Sequence, residues 1–161
     1  MNMTQAIKWK PLLLSLAIPL AVGGFSAFLT SDGMRAFASL PQPPLSPPGW
    51  VFAFVWTVLY LLLGLACYLV WTAGVSEKRR DRALTVYGLS LGCNFLWPIV
   101  FFTVRAWLAA LLLLVLLWIL GAICLLLFSC IDKRAGKLLI PYMAWLSFAA
   151  YLNFGVWILN R

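Results

Sequence analysis

Ser46-Pro47-Pro48-Gly49-Trp50-Val51-Phe52-Ala53-Phe54-Val55-Trp56-Thr57-Val58-Leu59-Tyr60 carries the chain from a proline-rich loop into an uncharged apolar helix. Phe52, Trp56 and Tyr60 recur at i, i+4 and i+8, so they share one helical face. The preceding prolines cannot continue a helix and bias their neighbours to extended backbone. The loop is therefore a stiff, shaped cover, and the aromatic face begins directly beneath it.

Working outward, the helix beginning at residue 50 is one of five similar stretches. A membrane-spanning helix needs about 20 apolar residues, and such runs lie at about 11–31, 50–73, 83–104, 106–130 and 138–159. The chain is 65% hydrophobic and 10% charged over 161 residues, with a mean hydropathy of +1.00. A water-soluble domain of this size does not have that composition. The expected fold class is an all-α integral membrane protein, a five-transmembrane-helix bundle forming a single domain over 1–161. The cover loop spans 32–49. A cleaved leader is the poorer reading of the first span, because its apolar run continues to Leu29.

Charge sets an expected orientation. Nine of the twelve Lys and Arg fall on the N-terminal side of the spans, at 8, 10, 78, 79, 80, 82, 133, 134 and 137. Arg35, Arg105 and Arg161 fall on the other. The positive-inside rule then puts the N-terminus in the cytoplasm, and the cover and C-terminus outside. The segment Glu77–Arg82 reads as a solvated turn, as does the segment from Asp132 to Lys137. The basic residues sit in separate end regions, which does not suit nucleic acid.

Each span has a legible face. In the first, Ser15, Pro19, Gly23 and Ala27 form a small-residue stripe, suited either to close helix packing or to lining a cavity. In the third, Tyr87, Ser90, Asn94, Trp97 and Phe101 fall within about 80° of one another at a 3.6-residue period. Gly88 and Gly92 occupy the opposite side, where close packing against a helix of this or another copy is expected. In the fifth, Tyr142, Trp145, Ala149 and Asn153 share a face. An amide at membrane depth must find a partner, so Asn94 reads either as a structural interhelical hydrogen bond or as a ligand contact.

Several chemistries have no residues to carry them. The sequence has no histidine, and its four acids, Asp32, Glu77, Asp81 and Asp132, all lie outside the apolar runs. The cysteines at 67, 93, 124 and 130 lack a metal-site spacing and read as packing residues. No catalytic triad, phosphate loop or metal cluster is expected. Aromatics with two amides remain, which suits a flat apolar ligand held by stacking and oriented by a few polar groups. Trp56, Trp97 and Trp145 are candidates for that contact.

Together these residues resemble the translocator protein family, also called tryptophan-rich sensory proteins or peripheral-type benzodiazepine receptors. The signals are Pro43-x-x-x-Pro47-Pro48; Val51-Phe52-x-x-x-Trp56-Thr57-x-Leu59-Tyr60; Tyr87 with Asn94, Trp97, Phe101 and Phe102; and Ile140-Pro141-Tyr142-x-x-Trp145 followed by Ala149 and Leu152-Asn153. The resemblance covers essentially the whole chain. It implies a five-helix bundle, often a homodimer. Its pocket binds protoporphyrin IX, haem-related tetrapyrroles and benzodiazepine-type drugs, with no required cofactor or metal. Its ligand positions carry over to Phe52, Trp56, Tyr60, Asn94, Trp97, Trp145 and Ala149. It implies a receptor or transport role for tetrapyrroles, or alternatively light-dependent oxidative breakdown of protoporphyrin using Trp56 and Trp145. Two positions depart. Leu45 replaces the family's usual tryptophan before the Pro-Pro pair, and Ile158 stands where related animal proteins carry an arginine of the sterol motif.

Overall fold

The structure is a computed structural model and describes residues 7–161. It contains α1 (Trp9–Leu29), α2 (Ser31–Phe37), α3 (Gly49–Trp71), α4 (Glu77–Pro98), α5 (Trp107–Ile131) and α6 (Lys133–Leu159). A π-helical turn, Ile99–Thr103, extends α4. Among the described residues there is no strand. Five helices, namely α1, α3, α4 with its π turn, α5 and α6, are long and apolar enough to cross a membrane.

The five long helices close into a ring in the order α1, α3, α6, α5, α4, with α4 returning to α1. Their inward faces carry small residues where backbones approach. A Cβ on Gly64 of α3 would lie 2.6 Å from the Ser15 carbonyl oxygen and 2.9 Å from the Leu16 Cα of α1. Outward faces are apolar as well, as at Leu13, Phe28, Leu112, Leu126 and Phe154. Hydrocarbon solvent leaves no reason to hide such side chains, so the interior is distinguished by fit and by its few polar groups.

Those polar groups tie the ring together. The Ser26 hydroxyl of α1 donates to the Phe95 carbonyl of α4 at 2.9 Å. Asn94 Nδ2 of α4 donates to the Tyr142 hydroxyl of α6 at 2.8 Å. Trp97 Nε1 donates to Asn153 Oδ1 at 3.1 Å, and Asn153 Nδ2 donates to the Trp107 carbonyl at 2.8 Å. Both membrane-depth amides therefore bridge helices, as the cost of an unmet amide in hydrocarbon requires.

Three boundaries differ from the sequence reading. Glu77–Arg82 is not a turn but the opening of α4, and Lys133–Lys137 opens α6. The apolar run marks the hydrocarbon-sized part of a helix, whereas charged, straight-chain residues are good helix formers and carry it further. Arg80 pairs with Glu77 at 3.8 Å, and the Asp132 carboxylate caps α6 by accepting from the Arg134 backbone N–H at 2.8 Å. The Arg134 guanidinium, which donates to the same carboxylate at 2.8 Å, and then this backbone bond hold the Asp132 carboxyl below its usual range against the opposing cost of burial. Third, the cover over 32–49 is not irregular throughout, because α2 occupies its first part. Seven residues are too few for a periodic signal. A Cβ on Gly33 would lie 2.6 Å from the Phe102 carbonyl oxygen, and this close approach seats α2 on the π turn.

The π turn has a local cause. Pro98 has no N–H to return to the Asn94 carbonyl, and the ladder resumes with wider bonds, Val104 N–H to Ile99 O at 3.0 Å and Ala106 N–H to Val100 O at 3.2 Å. Phe101 stacks on the Trp97 ring, with centroids 5.1 Å apart, while Phe102 reaches the cavity beneath the cover.

Candidate functional site

Beneath the cover lies a cavity of about 370 Å³ between α1, α2, α3 and α4. From α1 it is lined by Leu20, Gly23, Gly24, Ser26, Ala27 and Thr30, and from α3 by Gly49, Phe52, Ala53, Trp56, Thr57 and Tyr60. Asn94, Trp97 and Pro98 of α4 and Phe102 of the π turn form the far wall; Met34, Phe37, Ala38, Gln42 and Pro47 form the roof. Among the described residues, no Asp, Glu, Lys or Arg lines it. Its size falls within the ~300–1,000 Å³ common for small-molecule sites, and its mostly apolar wall with a few polar groups has the usual make-up.

The small stripe on α1 does two jobs. At Ser15 it packs tightly on Gly64; at Gly23 and Ala27 it yields volume to the cavity. The Tyr60 ring sits where a Gly23 side chain would begin. Trp56 and Tyr60 pack as a tilted pair, with centroids 5.5 Å apart, and give the α3 wall a broad aromatic surface.

Of the seven residues carried over at the sequence level, Phe52, Trp56, Tyr60, Asn94 and Trp97 come together on this one cavity. Trp145 and Ala149 do not line it. Trp145 meets the other side of Phe52 edge-on, with centroids 5.8 Å apart and planes at 72°. Ala149 borders a second hollow of about 30 Å³, whose walls share Phe37, Gln42, Phe52, Trp97 and Phe102 with the first. The seven carried-over positions lie on the second, third and fifth spans; the main cavity instead takes no residue from α6. Phe37, Phe52, Trp97 and Phe102 are walls common to the two hollows.

The sixth helix acts one layer back. It fixes Asn94 through Tyr142 and Trp97 through Asn153. It also holds the cover: Tyr151 donates to the Pro44 carbonyl at 3.0 Å, and Asn160 donates to the Pro41 carbonyl, also at 3.0 Å. A Cβ on Gly155 would lie 2.5 Å from Pro43 Cβ, so only glycine lets the proline seat there. Leu45, the departure from the family pattern, stands 80% exposed with φ of 66° and takes no part in the cavity wall. Phe37, Gln42 and Phe102 were not among the sequence candidates. They follow α2 and the π turn, whose positions no period announces.

Comparison with known proteins agrees with this architecture. The TspO/MBR family model matches residues 15–158. The tryptophan-rich protein TspO of Archaeoglobus fulgidus is 35% identical over 150 residues, 92% of this chain and 96% of that protein. The translocator protein of Homo sapiens is 36% identical over 156 residues, 95% of this chain and 92% of its own. The tryptophan-rich sensory protein of Cereibacter sphaeroides is 34% identical over 152 residues, 94% and 92% of the two chains. With five apolar helices of spanning length and this match along nearly its whole length, the chain is an integral multi-pass membrane protein of the TspO/MBR family.

Proposed function

We propose that this protein is a membrane receptor that binds flat, largely apolar ligands, protoporphyrin IX and related tetrapyrroles among them, in the cavity under the proline-rich cover, and so serves tetrapyrrole transport or regulation. Benzodiazepine-type drugs belong to the same ligand class. The observation that carries this is the convergence of Phe52, Trp56, Tyr60 and Trp97 on one uncharged cavity of about 370 Å³. Rings of this kind hold a flat ligand by offset stacking, about 0.5–1.5 kcal/mol per pair beyond burial. Turning the Phe52 ring would add the smaller hollow and bring Trp145 and Ala149 within reach of the ligand. No required cofactor or metal enters this reading.

The basic ends of α1, α4 and α6 favour an N-terminus in the cytoplasm, with the cover and C-terminus outside. A Cβ added to Gly88 or Gly92 meets nothing within 4 Å, and this outward, glycine-lined face suits a homodimer.

Titration with protoporphyrin IX in detergent should quench tryptophan fluorescence in the wild type, and the Trp56→Ala, Trp145→Ala double variant should lose most of that quenching. Unchanged quenching in the double variant would count against the reading. A second reading, oxidative breakdown of bound protoporphyrin by dioxygen in light, draws on Trp56 in the cavity wall with Trp145 one ring behind it. Illumination of the aerated complex should then yield an absorbing product that free pigment does not form; the absence of such a product removes this reading.

A further inference from the structure

The cover carries its most exposed apolar side chain where the backbone least suits one. Pro43 to Ser46 form a tight turn, in which the Ser46 N–H and hydroxyl both donate to the Pro43 carbonyl, at 3.3 and 2.8 Å. Pro44 fixes the second position, and Leu45 takes the third with φ of 66°. That is the geometry of a type II turn, whose third position favours glycine or asparagine. Leucine there carries backbone strain. Its side chain is 80% exposed, more than any other large apolar residue described, and it lines neither hollow.

The contacts of the cover set where that side chain lies. Asn160 bonds the Pro41 carbonyl, Gly155 meets Pro43, and Tyr151 bonds the Pro44 carbonyl. The loop therefore runs down α6 from its C-terminal end toward mid-membrane, and from Asn160 to Tyr151 the drop is about 13 Å along the helix. The helices beside it present apolar rings outward at this end, Tyr151 and Phe154 on α6 and Trp50 and Phe54 on α3. The backbone of the loop suits the same medium. Five of the eight residues from Pro41 to Pro48 are prolines with no N–H to satisfy. The Pro41, Pro43 and Pro44 carbonyls all have donors. Water meets such groups without help, whereas hydrocarbon does not.

We infer that Leu45 is a lipid anchor, inserted where headgroups meet acyl chains, and that it ties the cover to the bilayer as well as to α6. Burial of a leucine side chain in apolar surroundings is worth more than one left-handed residue costs; in water that cost is uncompensated. The cover then follows the membrane surface whatever the cavity holds.

Spin labelling of the full chain in nanodiscs of palmitoyl-oleoyl phosphatidylcholine tests this. Cys67 and Cys124 are buried, so Cys93→Ser and Cys130→Ser clear the background for a nitroxide at Leu45→Cys. Its collisions with dioxygen, which concentrates among acyl chains, are compared with those of a water-soluble nickel chelate. Labels at Asp32, an exposed charge on α2, and at Leu112, exposed within the α5 span, give the water and lipid references. The oxygen-to-nickel ratio at residue 45 should shift from the Asp32 value toward the Leu112 value. A ratio at the Asp32 value overturns the anchor. So does a label that neither reagent reaches, because protein, such as a second copy, then covers the turn. The unsubstituted chain gives a second readout free of any label on the turn. The Leu45 methyl resonances, identified by their loss in Leu45→Met, should broaden with a nitroxide carried on the lipid acyl chain and be spared by a soluble gadolinium chelate; the reverse pattern overturns the anchor.

Discussion

The contact between Gly64 and α1 offers a sharp test of how this ring is held. At this position a methyl group would stand 2.6 Å from the Ser15 carbonyl oxygen and 2.9 Å from the Leu16 Cα. Both are backbone atoms and cannot rotate away. Restoring ordinary contact near 3.5 Å requires the two helices to part by roughly 0.6–0.9 Å. Forced repacking of this kind costs about 1–3 kcal/mol. Alanine in a helix returns about 0.5–1 kcal/mol relative to glycine, so the steric term must be isolated with a partner substitution. Gly88→Ala supplies it, because nothing lies within 4 Å of the added methyl. Thermal unfolding in one detergent should place Gly64→Ala about 2–12 °C below Gly88→Ala, at about 2–4 °C per kcal/mol for a chain of this length. Because α1 also carries the cavity wall from Leu20 to Thr30, its displacement should weaken protoporphyrin IX binding as well. If Gly64→Ala melts at or above Gly88→Ala with unaltered binding, the claim that α1 and α3 meet backbone to backbone is refuted.

Three further outcomes are expected. Trp97→Phe keeps a ring against Phe101 but strips the donor from Asn153 Oδ1, leaving a buried acceptor unpaired; it should cost about 1–3 kcal/mol in denaturant titration, more than the same change at the 72%-exposed Trp50. Gly155→Val drives a side chain into Pro43 and should lift the cover from α6, seen as faster ligand release in stopped-flow while equilibrium melting changes less. Asp132 has its carboxyl held below the ordinary range by Arg134. The stability it adds is therefore present above the unfolded value of about 3.9 and is lost as pH falls through the lower folded value. Asp132→Asn keeps a capping side chain and should flatten the melting profile below about pH 4, by under about 1 kcal/mol because the pair faces solvent.

The π turn, not the apolar pattern, brings the Phe102 ring to the far wall. Tyr87, Ser90, Asn94, Trp97 and Phe101 read as one face at a period of 3.6, and all five are buried. Past Pro98 the period breaks, and the wider turn delivers Phe102 to the cavity as well. The α6 face was equally legible, with Tyr142, Ala149 and Asn153 buried together. Its role was not. A shared face says which residues look inward, but not whether a ring from another helix stands between them and the hollow. Phe52 stands there for Trp145.

By itself, the sequence determined what hydrocarbon solvent dictates: five helices, their approximate limits, the inward faces, and the need for two amides to find partners. Those follow from local period and from the cost of an unmet polar group. Tertiary structure alone decided the ring order, the seating of the cover on α6, and which five of the seven candidate side chains meet at one cavity. Such outcomes depend on distances between residues far apart in the chain, such as Asn94 and Tyr142 or Pro44 and Tyr151, and no helical period encodes them.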